Sequence, residues 1–403
     1  MLLGMDLDLE KTLAELVAIP SVNPMGRTVA GPEFYEYKLT DYLERAFGRL
    51  GLKTHRQPVA PLRDNLLARL EGRPTPEEGS SLILFEVHQD TVPVDGMTIE
   101  PWTPMIRDGR LYGRGSCDVK GGMAAMLGAV ARLAAETPEN RPTVVMACTV
   151  NEEYGFTGAT NLCQTWSDHS SPLLPRRPDE AIVAEPTNLD IVVAHKGVAR
   201  WRCHTHGRAA HSSRPEAGDN AIYRMVRVVA ALERFHTQVL GGRPPHPLCG
   251  PPTLSVGTIA GGISVNTVPD CCTIEIDRRL LPGDDPASAQ YEVIDYVADA
   301  LDDPMSASLV EHEPLLIQST GLAETGNHDL AERLATATRT VVGRAKKIGV
   351  PFGTDAAAYS RAGVPTVVFG PGSIDQAHTA DEWISLEQVQ QASEILYRFV
   401  CAA

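Results

Sequence analysis

Aromatic side chains are scarce in this 403-residue sequence, at 5%, so any core must be filled mainly by Ala, Val, Leu and Ile. Basic blocks are missing too. The 36 Lys and Arg stand against 51 Asp and Glu, and the formal charge of -15 opposes phosphate backbones and anionic membranes. That acidity fits either a solubilising surface or groups gathered around cations. No apolar run reaches the ~18 to 20 residues a membrane helix needs, and the opening Met-Leu-Leu-Gly-Met-Asp lacks the basic-then-apolar order of a leader. The eight cysteines are Cys117, Cys148, Cys163, Cys203, Cys249, Cys271, Cys272 and Cys401, and none forms a C-x-x-C pair. Their scatter argues against a secreted disulfide framework and for a reducing, cytoplasmic compartment. Neither G-x-x-x-x-G-K-S/T nor G-x-G-x-x-G occurs, which removes the common phosphate-cradling loops. Internal repeats, heptads and low-complexity tracts are absent as well.

What is present is an ordinary folded composition, 43% hydrophobic and 22% charged, in a chain longer than one core usually serves. Helical spacing runs from Asp8 to Ile19, ending at Pro20, and from Phe34 to Leu50, ending at Gly51. Short apolar runs at Ser81–Val87, Thr143–Val150, Ala181–Ala184 and Pro365–Phe369 read as buried strands. A small-residue helix spans Gly121–Ala135, and further helices span Leu330–Val342 and Leu386–Val400. Strands alternating with helices imply a layered α/β domain. From Ala199 the pattern changes. Ala199, Trp201, Cys203 and Thr205 alternate with Arg200, Arg202, His204 and His206, a half-exposed strand at period two. A helix at Asn220–Phe235, strands at Thr253–Ile259 and Thr273–Arg279, a helix at Ala287–Leu301 and a strand near Ser306–Glu311 follow. That β-α-β-β-α-β order predicts a ferredoxin-like α+β domain inserted at 195–313, interrupting an α/β domain of 1–194 and 314–403.

Chemistry-bearing residues cluster just after the α/β strands. His88-Gln89-Asp90 follows the Ser81–Val87 strand, and Asp90 can fix the imidazole through its second nitrogen; a structural pair is the alternative. Asp118 lies in Gly113-Arg114-Gly115-Ser116-Cys117-Asp118-Val119-Lys120-Gly121-Gly122, where it serves either a cation or a helix cap. The Thr143–Val150 strand ends in Asn151-Glu152-Glu153. Such neighbours either stay solvated, or a cation holds one while the other works as a base. Glu185 precedes Pro186, and His378 ends Gly370-Pro371-Gly372-Ser373-Ile374-Asp375-Gln376-Ala377-His378; each alone reads as a surface-loop residue. Together they lie at the C-terminal ends of strands, the edge where open α/β sheets place their ligands. Two histidines and several carboxylates suit a pair of borderline divalent ions, whereas carboxylates alone would favour magnesium or calcium.

These segments resemble the two-zinc superfamily of acetylornithine deacetylase, succinyl-diaminopimelate desuccinylase, aminoacylase and glutamate carboxypeptidase, over nearly the whole chain. Glu185-Pro186-Thr187, Ala194-His195-Lys196-Gly197, Leu281-Pro282-Gly283 and Gly370 through His378 look most like the acetylornithine deacetylase branch. The resemblance implies two Zn2+, with Co2+ as a possible substitute. His88 and Glu185 would hold one ion, Glu153 and His378 the other, and Asp118 both. Asp90 would orient His88, Glu152 would be the general acid/base, and the Asp118–Val119 peptide would be cis. It also implies a homodimer through the inserted domain, with His211 of Gly207-Arg208-Ala209-Ala210-His211-Ser212-Ser213 reaching a neighbouring site to polarise the scissile carbonyl. Asn266 would add a polar contact, and Arg279, or its neighbour Arg278, would grip a substrate carboxylate. Gly353-Thr354-Asp355 resembles a substrate-contacting loop in which Gly353 and Thr354 would touch the substrate, with a Thr354-capped helix start as the alternative. The implied reaction is N-acyl amide hydrolysis on a small amino acid, N-acetylornithine first. Succinyl-diaminopimelate or carboxypeptidase-type substrates come next. A catalytically silent metal-binding module is the reading from another class, and retention of Glu152 beside the full ligand set speaks against it. No nucleic-acid or membrane partner is expected.

Overall fold

The computed structural model describes residues 7–75, 80–301 and 308–402. The segment read above for a leader, residues 1–6, and the start of the strand expected at Ser306 lie outside the described residues. Among the described residues no helix is long and apolar enough to cross a membrane.

In chain order the principal elements open with α1 (Leu9–Val17), α2 (Tyr37–Arg49), β1 (Lys53–Ala60), β2 (Arg63–Leu70), β3 (Leu82–His88) and α3 (Gly121–Glu136). Next come β4 (Thr143–Thr149), α4 (Thr157–Asp168), β5 (Glu180–Val183) and β6 (Ile191–His195). The middle of the chain gives β7 (Gly197–His206), α5 (Ala221–Arg234), β8 (Thr253–Gly261), β9 (Cys271–Leu280), α6 (Pro286–Ala300) and β10 (Val310–His312). The chain closes with α7 (His328–Val342), β11 (Lys347–Val350), α8 (Ala356–Arg361), β12 (Thr366–Val368) and α9 (Leu386–Cys401).

Two compact units result. One comprises Met1–Val193, Glu324–Ile348 and Thr354–Ala403; the other comprises Ala194–Ala323 and Gly349–Gly353. The second unit runs beyond the expected 313 because Ile317–Ser319 also pairs with β7.

The first unit is built on an eight-stranded sheet of order β1-β2-β4-β3-β5-β12-β6-β11. Its middle strands β4, β3, β5 and β12 are mutually parallel, and every residue of β3 and β4 is buried, as continuous apolar runs in a parallel sheet require. Asp8 caps α1 by accepting from the Lys11 N–H at 3.0 Å. The small residues of α3 serve close packing: a Cβ on Gly128 would come within 2.5 Å of Leu9 and 2.6 Å of Ser393 on α9. The core of this unit joins α1, α2, α3, α7 and α9 to the sheet through residues such as Leu13, Phe47, Phe85, Met123, Leu334 and Phe399.

The second unit has the antiparallel order β8-β9-β7-β10. Along β7 from Ala199, buried Ala199, Trp201, Cys203 and Thr205 alternate with half-buried Arg200, Arg202, His204 and His206. The buried face packs on α5 and α6 through Met225, Val228, Phe235, Ile274 and Val293. The other face is a polar ladder, with Arg200–Asp277 at 2.6 Å, Arg202–Glu275 at 2.9 Å and His204–Glu313 at 2.9 Å.

Candidate metal centre

Four neighbouring parallel strands deliver most of the site. His88 ends β3, Glu152 and Glu153 follow β4, Glu185 follows β5, and His378 lies in the loop after β12. Asp118 arrives from the turn that opens α3, where Gly115 takes a φ of 78° and the Asp118–Val119 peptide is cis.

The structure gathers His88, Glu152 and Glu185 into one group, and Asp118, Glu153 and His378 into another; in each, ligand atoms lie within 4.8 Å of one another. Asp118 touches both groups: Oδ1 is 3.1 Å from His88 Nε2, and Oδ2 is 3.2 Å from His378 Nε2. His378 Nε2 is also 3.3 Å from Glu153 Oε2, and His88 Nε2 is 3.9 Å from Glu185 Oε1. Tetrahedral zinc with bonds of about 2.0–2.1 Å separates its ligand atoms by about 3.3 Å, close to these spacings. The donors are imidazole and carboxylate without thiolate, a set for borderline divalent ions. Glu153 Oε1 is buried without a hydrogen-bond partner, an acceptor that a cation would satisfy. The residues fit one or two divalent metal ions.

Charge in the site points the same way. Burial, and then Glu185, raises the Glu152 carboxyl well above its ordinary range. Burial and Asp118 raise Glu185 likewise, and they push Glu153 to about 7. Burial opposes charge on His378, but hydrogen bonds to Asp118 and Glu153 overcome it and lift the ring to about 11. His88 is held up in the same sense by Asp118 and Glu185, against its burial. Protons thus occupy the place where cations would neutralise these carboxylates.

Asp90 does something other than the expected carboxylate clasp. His88 Nδ1 donates to the Asp90 backbone carbonyl at 2.9 Å, while the Asp90 carboxylate is 3.7 Å away. That carboxylate is engaged elsewhere, by Asn23 Nδ2 at 2.7 Å and the N–H groups of Glu152 and Glu153 at 3.1 Å each. It ties the loop after β3 to the loop after β4. Sequence reading missed Asn23, whose partners come from distant segments. It also missed Glu86, and it gave Asp355 only as part of a substrate-contacting loop; the two are buried carboxyls that share Thr149 as hydrogen-bond donor. Glu86 lies two residues before His88 on the same face of β3, and a charged residue inside an apolar strand was the available signal.

The remaining candidates lie apart from these groups in the chain. His211 and Asn266 meet in the second unit, where Ala210–His211 pairs with Thr267–Val268 and the Ser212 N–H donates to the Asn266 carbonyl at 3.0 Å. His211 Nδ1 accepts from the Ser213 N–H at 3.2 Å, so the neutral ring carries its proton on Nε2, on an exposed side chain. Arg279 projects from the open face of β9 and bonds Asp277 at 2.7 Å, whereas Arg278 is fully buried beneath the helices. Thr354 Oγ1 accepts from the Ala356 N–H at 3.2 Å at the start of α8, and Gly353 precedes it.

A mixed sheet whose parallel strand ends converge on paired histidine–carboxylate groups defines a metal-dependent amidohydrolase. Residues 84–402 match peptidase family M20/M25/M40, and the chain belongs to that family. It is 31% identical over 400 residues to an acetylornithine deacetylase of Pectobacterium carotovorum, covering 96% of this chain and 95% of the relative. It is 30% identical over 408 residues to an acetylornithine deacetylase of Myxococcus xanthus, covering 97% and 96%. Among solved structures, a family metallo-carboxypeptidase from Sulfolobus solfataricus shares the fold with a TM-score of 0.76 at 19% identity, covering 98% of this chain and 99% of that one.

Proposed function

We propose that this protein is a zinc-dependent deacetylase acting on an N-acyl amino acid of the N-acetylornithine type. The observation that carries the reading is the convergence of six side chains from five segments into two adjoining ligand groups joined by Asp118. In this reading His88 and Glu185 would hold one ion, Glu153 and His378 would hold the other, and Asp118 would serve both. Zinc, when bound, supplies polarisation of the amide carbonyl and a water acidic enough to attack at neutral pH. Glu152, buried and raised by its neighbours, takes a proton from the attacking water and delivers it to the leaving amine nitrogen. His211 donates from Nε2 to the carbonyl oxygen as charge develops there. Arg279 grips the substrate α-carboxylate, exchanging Asp277 for it; the buried Arg278 faces the wrong side of the strand for this. Asn266, Gly353 and Thr354 complete the substrate contacts.

The second unit reads as a ferredoxin-like dimerisation domain. In support, β8 is an edge strand of its sheet and carries exposed Ile259, while Tyr223, Val226, Ile263 and Val265 are also exposed in that unit. The related deacetylases support the choice of substrate over succinyl-diaminopimelate or carboxypeptidase-type amides. Chelator-treated protein should release no amine from N-acetyl-L-ornithine and should regain activity as Zn2+ is restored. Preference for another member of an N-acyl amino-acid panel would overturn the substrate. Amine release from none of them, with zinc restored, would overturn the reaction.

A further inference from the structure

Glu382 is almost completely buried, lies beside an already acidic site, and has no part in the ligand groups. Its surroundings say what it does. Trp383–Ser385 pairs antiparallel with Arg110–Tyr112, and the Gly113 N–H donates to the Glu382 carbonyl at 3.0 Å. This short ribbon delivers the carboxylate into the turn that opens α3. There Oε2 accepts from Arg114 Nη1 at 2.7 Å and from the Gly115 N–H at 2.9 Å. Oε1 accepts from the Cys117 N–H at 2.8 Å and from the Asp118 N–H at 3.0 Å. Three backbone donors from one tight turn form a concave nest for an anion, and the anion is supplied by the chain itself.

Two features make this more than a buried ion pair. The nest includes the N–H of Asp118, so Glu382 fixes the backbone from which the shared side chain projects. Glu382 also lies four residues after His378, so one carboxylate ties the His378 loop to the Asp118 turn. Arg114, itself buried, pairs with the carboxylate and offsets its charge. Asp90 performs the matching task on the other side, between the loops of His88 and Glu152.

We propose that Glu382 is a positioning residue that aims the Asp118 carboxylate so that its two oxygens serve two different ions. The inference rests on the reading of Asp118 as a shared ligand. Metal-free protein is titrated with Mn2+ and followed by calorimetry and by electron paramagnetic resonance, which distinguishes an exchange-coupled pair from two separate ions. Wild type should take up two Mn2+ with a coupled spectrum. Glu382→Gln, and Glu382→Asp if the first variant folds poorly, should lower affinity for the second Mn2+ at least tenfold and lose the coupling. Arg114→Met keeps the carboxylate on its three N–H donors and should keep the coupled spectrum. A coupled spectrum and wild-type affinities in both Glu382 variants, with only a lower melting temperature of the metal-free protein, would mark a structural residue and overturn the inference. Coupling lost equally in Arg114→Met would transfer the role to the ion pair and overturn it too. A wild type that binds Mn2+ without coupling would instead refute the shared role of Asp118, and the inference would fall with it.

Discussion

Metal uptake by this protein should be strongly linked to proton release. In the metal-free protein at pH 7, His378 and His88 hold their protons, the first with a pKa near 11 and the second well above its ordinary range. Burial, and then Asp118, raises Glu185 well above its ordinary range, and Glu153 titrates at about 7. Bound cations require neutral imidazoles and ionised carboxylates, so these protons must leave. His378 is half-exposed, and solvent screening weakens its hold, so about three protons per metal pair is the expected release. The sign follows directly. The metal-free form binds more protons than the loaded form, so affinity rises with pH and falls with acidification. Each unit below pH 7 should weaken combined binding of the pair by about 4 kcal/mol, roughly a thousandfold. Calorimetric titration of Zn2+ into chelator-treated protein, repeated in buffers of different ionisation enthalpy, reads the proton count from the slope of heat against that enthalpy. One proton or fewer released per pair would refute the reasoning, because the imidazoles would then already be neutral.

Other substitutions separate the roles further. Glu152→Gln should keep metal content by elemental analysis and lose at least ~100-fold in turnover; near-normal turnover would remove Glu152 from acid/base work. His211→Ala should also keep its metal while losing turnover. Mixed dimers with Glu152→Gln protomers should regain part of the activity, and no regain in verified mixed dimers would argue against sharing of sites. Asp90→Ala strips partners from the N–H groups of Glu152 and Glu153 and from Asn23. Each buried donor left unsatisfied costs about 1–3 kcal/mol, so thermal unfolding should shift down clearly and Zn2+ affinity should fall about 10- to 100-fold.

The expectations legible in the sequence were those carried by side-chain pattern. The unbroken apolar runs of β3 and β4 and the period-two alternation of β7 show directly in residue type. The hairpin of β1 and β2 does not. β1 is a sheet edge, largely half-exposed, and spends its positions on Lys53, His55, Arg56, Gln57 and Pro58. Helix α4 was equally silent, since Phe156 enters it at a φ of 57° without a side-chain cap. In the site, the candidate ligands other than Asp118 were visible because each ends or follows a strand, and Asp118 because it lies in a glycine-rich turn. Asn23 and Glu382 were not, since their partners lie at distant sequence positions and include backbone N–H groups that residue type does not reveal. The register of β9 puts Arg278 and Arg279 on opposite faces, which their residue type alone does not reveal.

The His195–Leu322 pairing has a consequence for the chain's history. Each residue donates its N–H to the other's carbonyl at 3.0 Å, so the excursion that makes up most of the second unit leaves and returns through a single closed gate. To the remaining sheet, everything between those two residues is one oversized hairpin tip. Lengthening a loop whose ends already meet adds only slowly to its entropic cost. Such a cassette can be enlarged, trimmed or exchanged while strands β3, β4, β5 and β12 keep their register.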